Sequence, residues 1–229
     1  MQIEAFLFDK DGTLFDFGAT WEVFAEAFLL RVCGQDATRA QALGLEIGFD
    51  FAARRFFPNS IVIAGTPSEI AAALHPHLPG HTHVGLIDML NEEAAIAPQA
   101  EAVPLAGFLD GLRQQGFRLG VATNDAEEPA KAHLDAAGVR DRFDFVAGFD
   151  SGFGAKPGPG QLLAFADHVD TRPERVAMVG DSTHDLLAGR AAGMVTVGVL
   201  TGLAAESELA PHADVVLPSI GHIPGWLSR

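Results

Sequence analysis

The sequence predicts an α/β protein: a parallel sheet covered by helices on both faces, with a small helical segment inserted after the first strand. Three observations predict it. Short apolar runs alternate with helical patterns through the second half of the chain, as strand–helix–strand crossovers require. A strand-like run at residues 3–8 stops abruptly at Asp9. Between about residues 17 and 98 the strand periodicity fades and helical spacing of Ala, Leu, Phe and Glu takes over.

Taken in order, residues 3–8 are the first strand. Residues 21–32, 37–47, 67–74 and 84–97 read as helices, with residues 60–64 a short strand exception among them. These lie in a segment, residues 17–98, expected to form a small cap, with hinges near residues 16–18 and 97–104. Residues 1–16 and 99–229 then form the α/β core. In that core, runs rich in Val and aromatics at residues 117–122, 143–147, 176–179, 195–199 and 213–217 read as strands. Residues 105–115 place Leu105, Phe108, Leu109 and Leu112 at helical spacing, and residues 127–137, 160–168 and 183–192 follow the same pattern. Gly116, Gly138 and Gly193 stand where helices end, the usual place for a left-handed residue. Right-handed crossovers should join the parallel strands.

Composition narrows the function. A chain of 229 residues, 48% apolar, can bury a substantial core as one large domain or a core plus a smaller one. A formal charge of -15 argues against a nucleic-acid partner and against an anionic membrane surface, both of which need clustered Lys and Arg. A small phosphorylated substrate remains compatible, because local cations decide binding in a cleft. The single cysteine, Cys33, excludes an internal disulfide and suits a reducing compartment. No secretory pattern and no membrane-length apolar run is visible, so a cytoplasmic location is expected. Nothing fixes the oligomeric state; monomer and homodimer are both compatible.

In an open parallel sheet, ligands bind beyond the carboxyl ends of the strands. The residues just after the apolar runs are therefore the candidates: Asp9 and Asp11, then Thr123 and Asn124, then Lys156 across a Gly-rich loop, then Asp181 with Asp185 four residues on. Carboxylates at a strand end are costly to bury unless paired, and a hard cation with a phosphate would satisfy them. The plain alternative for Asp9–Gly12 is a strand followed by a polar turn. A calcium loop is ruled out, because its Gly and Glu positions hold Leu14 and Thr20. For Asp181–Asp185 the plain alternative is helix N-capping, which is compatible with metal ligation.

Four stretches together carry a resemblance. They are Phe8-Asp-Lys-Asp-Gly-Thr-Leu14, Val121-Ala-Thr-Asn124, Ala155-Lys-Pro-Gly-Pro159, and Val179-Gly-Asp-Ser-Thr-His-Asp185 continuing to Met194. In this order they resemble the motifs of the haloacid dehalogenase-like (HAD) hydrolase superfamily, and the helical insertion resembles the cap of its phosphoglycolate phosphatase-like subfamily. The resemblance implies a Rossmann-like parallel-sheet core, a helical cap, Mg2+ as cofactor and a small phosphorylated metabolite as substrate. It implies a phosphatase working through an aspartyl-phosphate, with phosphoglycolate one candidate substrate. A phosphomutase acting on a sugar phosphate and a non-catalytic binding protein are the alternatives.

On that resemblance Asp9 is the nucleophile and Asp11 the general acid and then base. Asp11 also separates chemistries, since the dehalogenases lack an Asp at this second position. Asp9 and Asp181 are the expected metal ligands, with the Asp11 backbone carbonyl and a nearby Asp185. Gly12, Thr13, Thr123, Asn124 and Lys156 make up the expected phosphate-binding set. Lys10 departs from the usual aliphatic residue and is expected in a surface or inter-element ion pair. Asp125 departs from a basic residue common in close phosphoglycolate phosphatases. Arg54 and Arg55 are candidate contacts for an anionic substrate tail, against the plainer reading of solvated charges beside Phe56 and Phe57. His75, His77, His81 and His83 are a candidate metal cluster, against the plainer reading of a flexible loop. His184 is expected at the site entrance or facing solvent.

Overall fold

Buried strands and amphipathic helices alternate as the apolar pattern requires in the computed structural model, which describes residues 3–228. Residues 1, 2 and 229 of the expected core lie outside the described residues. The order is β1 (Ala5–Phe8), α1 (Phe17–Val32), α2 (Ala37–Glu46), β2 (Phe49–Asp50), β3 (Arg55–Phe56), α3 (Pro67–Leu74), α4 (His83–Ala95) and α5 (Leu105–Gln114). Then follow β4 (Arg118–Ala122), α6 (Glu127–Ala136), β5 (Phe145–Ala147), α7 (Gly160–His168), β6 (Val176–Gly180), α8 (Thr183–Ala192) and β7 (Val195–Val199). The chain closes with α9 (Glu206–Leu209), β8 (Val215–Leu217) and α10 (Ile223–Leu227).

Six strands form one parallel sheet in the order β5-β4-β1-β6-β7-β8. Strand β1 is covered on both faces. Phe6 and Phe8 enter one apolar cluster with Leu105, Leu109 and Leu134 of α5 and α6, while Ala5 and Leu7 enter another with Leu162 and Phe165 of α7. Burial on both faces explains why the strand reads as continuous apolar sequence instead of alternating. The chain moves outward from β1 to β4 and β5, then crosses to β6 on the other side of β1. Phe8 pairs in register with Val121 and with Val179, so three strands end level at this switch point. That is where a doubly wound sheet binds its ligand.

The helical segment has its own core. Asp16 caps α1 by accepting from the Ala19 amide at 2.7 Å, and Phe17, Trp21, Phe24, Phe28 and Val32 bury one stripe of that helix. They pack with Leu43, Ile70, Leu74, Leu86 and Leu90 in a cluster distinct from the two on the sheet. The expected strand at residues 60–64 is instead a turn. Ser60 Oγ donates to the Ile47 carbonyl at 2.5 Å and accepts from the Val62 amide at 3.2 Å, diverting groups a ladder would need. The small hairpin here pairs β2 with β3. No helix among the described residues is long and apolar enough to cross a membrane.

Candidate active site

Level strand ends bring distant residues together. Asp9 follows β1, Thr123 follows β4 and Asp181 follows β6. Lys156 Nζ reaches into this group and donates to Asp9 Oδ1 at 2.6 Å, to Asp185 Oδ1 at 2.6 Å and to the Ala122 carbonyl at 2.8 Å. All three ammonium protons are thus in use. Asp9, Asp181 and Asp185 are buried and offer oxygens within 4.8 Å of one another. Among the described residues no other group of three such side chains could share an ion. The sequence-expected histidines at 75, 77, 81 and 83 do not form one: His77 lies 3.4 Å from Glu46 and His83 contacts the Ser68 carbonyl at 3.1 Å.

Backbone geometry closes around Asp181. Gly12 has φ +76°, and a Cβ there would stand 2.3 Å from Asp181 Oδ2. A Cβ on Gly202 would stand 1.6 Å from the same oxygen. Only glycine fits either place. Asp185 is held by Lys156 on one oxygen and by Ser182 on the other, with the Ser182 amide at 3.0 Å and its hydroxyl at 2.6 Å. Ser182 is the N-cap of α8, so the capping and site roles coexist in this turn.

The electrostatics are short of positive charge. Burial pushes the Asp9 carboxyl up to about 7, with Lys156 opposing and Asp185 and Asp11 adding to the rise. Burial, then Asp9 and Asp185, push Asp181 well above the ordinary carboxylate range. Burial opposes the Lys156 charge, but Asp185 and Asp9 outweigh it and hold the ammonium above its usual value. Three buried carboxylates facing one ammonium form an all-oxygen donor set with a charge deficit, which a hard divalent cation fits. The carboxylate of Asp11 does not join them. It turns to Lys10, at 2.9 Å, leaving its backbone carbonyl as its means of reaching a metal.

Thr123 lines the cleft and accepts from the Asp125 amide at 3.0 Å, so its hydroxyl proton is left for an oxygen in the cleft. Of the neighbouring residues, Thr13 is the one whose expected place needs correction. The backbone N–H groups around Asn124 are the expected phosphate donors, and its side chain is a clamp. Its Oδ1 accepts from the Lys156 amide at 2.8 Å, and its Nδ2 donates to the Lys156 carbonyl at 2.9 Å and the Ala64 carbonyl at 2.8 Å. Thr13 is wholly buried and does not line the cleft; the turn closed by the Leu14 amide on the Lys10 carbonyl, at 2.9 Å, directs it inward. Lys10 is wholly buried, so of the two places expected for its ion pair the inter-element one is the one present. Arg54 pairs with Glu26 at 2.6 Å, and neither it nor Arg55 lines the cleft, which leaves the plainer reading of those charges.

The inter-element ion pair of Lys10 is present, and its partner is Asp125 at 3.1 Å. The alignment at Asp125 Oδ2 is that of an ionic contact and not of a directed hydrogen bond. The two departures from the family pattern thus compensate each other. Lys10 also donates to His133 Nδ1 at 2.8 Å, and His133 Nε2 donates to the Ala94 carbonyl at the end of α4, at 2.6 Å. Burial, and then the neighbouring Lys10 charge, lower the His133 pKa to about 4. The Trp21 ring covers Lys10, 5.6 Å from Nζ to centroid. Sequence reasoning missed His133. Its one signal is position, three residues after Ala130 and next to Leu134 on the buried face of α6.

The cleft holds about 620 Å³ of space, part of it open to solvent. One end carries the carboxylates and Lys156, and half-buried His184 is among the lining residues. The other end is walled by the helical segment, with Phe17, Trp21, Phe24, Ile70 and Leu90 among its lining residues. These aromatic residues are a second omission of the sequence reading, which marks residues 21–32 only as a helix of the cap.

Comparison with known proteins agrees with this geometry. The family model for haloacid dehalogenase-like hydrolases matches residues 3–193. The chain is 30% identical over 225 residues to the probable phosphatase IndB of Dickeya dadantii (strain 3937), covering 96% of this chain and 91% of that protein. It is 30% identical over 230 residues to a phosphoglycolate phosphatase of Xanthomonas campestris pv. campestris (strain 8004), covering 97% and 96%. Among solved structures, a predicted phosphoglycolate phosphatase from Haemophilus somnus 129PT superposes with a TM-score of 0.77 at 18% identity, covering 100% of this chain and 99% of that one. At that identity the likeness speaks for the fold alone.

Proposed function

The chain belongs to the haloacid dehalogenase-like hydrolase family, and from that premise we propose that it is a Mg2+-dependent phosphatase hydrolysing a small phosphate monoester through an aspartyl-phosphate on Asp9. The observation that carries the reading is the bridge from Lys156 Nζ to Asp9 and Asp185, both at 2.6 Å, with Asp181 in the same acidic group.

In the first step an Asp9 oxygen attacks phosphorus, the bond to the leaving alcohol breaks, and Asp11 gives that alcohol its proton. In the second step Asp11 takes a proton from a water that attacks the same phosphorus. The Asp9–phosphorus bond breaks and inorganic phosphate leaves. For both steps Asp11, which lines the cleft, must turn from Lys10 toward the reacting group. Lys156 holds Asp9 in place and balances charge, and the Thr123 hydroxyl donates to a phosphoryl oxygen. Asp9 and Asp181, with the Asp11 carbonyl, would hold the Mg2+, and Asp185 would orient Lys156 beside them. The ion would neutralise charge on the phosphoryl oxygens.

Residues 17–98 act in this reading as a cap that excludes water from the cleft. Contacts from Ala64 to Asn124 and from Ala94 to His133 support a closed arrangement. The test is phosphate release over a panel of metabolite phosphates with Mg2+ and with chelator, for the natural protein and Asp9→Asn. Release that needs Mg2+ and disappears in Asp9→Asn is expected. Normal turnover by Asp9→Asn would refute the nucleophile.

A further inference from the structure

The cleft is polar at one end only, and the other end tells what the leaving alcohol must be. Among its described lining residues Lys156 is the only Lys or Arg, and its three protons are spent on Asp9, Asp185 and Ala122. His184, next to Asp185 in the chain, also lines the cleft. The substrate's far end meets Phe17, Trp21, Phe24, Ile70 and Leu90. A second anionic group, such as the carboxylate of phosphoglycolate or the second phosphate of pyrophosphate, would meet no lining cation there, since Lys10 lies behind the Trp21 ring and is already paired with Asp11 and Asp125, and the cleft already holds several carboxylates. That is the costliest thing to place in an apolar wall.

Two polar atoms in this lining have no partner. Trp21 and Asn91 both line the cleft, and the indole N–H of one and the side-chain oxygen of the other are buried without a hydrogen bond in the protein, so a ligand reaches them only by a small shift of those side chains. Buried donors and acceptors left this way are destabilising unless something fills them. One is a donor and the other an acceptor. Phe17 and Phe24 pack against the Trp21 ring, giving that part of the lining aromatic faces suited to a flat ring.

We propose that the site takes a phosphate monoester whose only charged group is the phosphate itself: the ester of an uncharged alcohol with an apolar or aromatic body, bearing an acceptor for Trp21 and a donor for Asn91. This deepens the phosphatase reading and rests on it. Phosphoglycolate is the wrong class of ester for this cleft.

The test measures binding separately from turnover. Titration calorimetry with Asp9→Asn protein and Mg2+ compares three ligands: 2-phosphoglycolate, benzyl phosphate and the phosphate ester of 4-(hydroxymethyl)benzamide. Benzyl phosphate is expected to bind at least about tenfold more tightly than phosphoglycolate, with the benzamide ester tighter again. Adding Trp21→Phe keeps a ring but removes the donor. It should erase the benzamide advantage while leaving benzyl phosphate within about twofold, which also shows that the pocket is intact. Phosphoglycolate binding as well as or better than benzyl phosphate overturns the proposal, as does no binding by any of the three. If the binding order holds but the natural protein releases phosphate from none of them, the phosphatase reading falls and the ligand class stands.

Discussion

His133 should make the fold sensitive to mild acid, and the size of the effect follows from its surroundings. Its Nδ1 accepts from the Lys10 ammonium at 2.8 Å while its Nε2 donates to the Ala94 carbonyl. A second proton would have to sit on Nδ1, facing an existing cation at hydrogen-bond distance. Hence the pKa falls to about 4 from an ordinary 6.5 in the unfolded chain, burial being the largest cause. With the folded value below the unfolded one, the unfolded state binds more protons between these limits. Stability is therefore full above about pH 6.5 and is lost as pH falls toward 4. At 1.36 kcal/mol per pH unit the loss at pH 4.5 is about 2.5 kcal/mol. Because Asp9 and Asp181 titrate in the opposite sense, the quantity to measure is a difference. Urea unfolding at pH 7.5 and 4.5 is compared for the natural protein and His133→Gln, both metal-free. The natural protein should lose about 2.5 kcal/mol more on acidification than the variant. Equal losses would refute the placement of a neutral imidazole between Lys10 and Ala94.

Three further outcomes are expected. Gly12→Ala puts a Cβ 2.3 Å from Asp181 Oδ2 at φ +76°; it should cost at least about 1 kcal/mol in urea unfolding and raise the Mg2+ concentration needed for half-maximal phosphate release. Mg2+ at a hundredfold excess over its dissociation constant should stabilise the fold by about 2.7 kcal/mol in thermal unfolding, and Asp181→Asn should remove most of that gain. Lys10→Met strands the buried Asp125 carboxylate and should cost about 3–5 kcal/mol, whereas Lys10→Met with Asp125→Ala should recover part of it in a double-mutant cycle; strict additivity would exclude the pair as a structural unit.

Much of this was legible in the sequence because the relevant signals are local. The strands are continuous apolar runs, since both faces of the sheet are covered, and α7 and α8 run over the residues that helical spacing marks. Asp9, Thr123, Lys156 and Asp181 could be singled out because each follows a strand end, directly or across a short loop. What was not legible depends on partners far along the chain. Lys10 and Asp125 each look like an unexplained departure, and only folding makes them neighbours. Nothing near Asn124 in the sequence shows that its side-chain amide will tie Ala64 to the Lys156 backbone. Trp21 and Phe24 carry the same helical periodicity whether they fill a core or line a cleft, so spacing could not separate the two. Ser60 failed as a strand residue because its hydroxyl competes for the backbone, which hydropathy does not register.

The Asn124 amide has a consequence for the tempo of the enzyme. One NH2 group fastens two things at once: the lysine-bearing loop and the rim of the helical lid. If residues 17–98 lift as the proposed cap, this link to Ala64 would be surrendered at a net expense of about 1 kcal/mol, in addition to the Ala94–His133 contact. The bonds to Lys156 stay intact through the same movement. On the proposed reading, product could leave past a raised rim while the amine at the threshold stays cocked for the next ester.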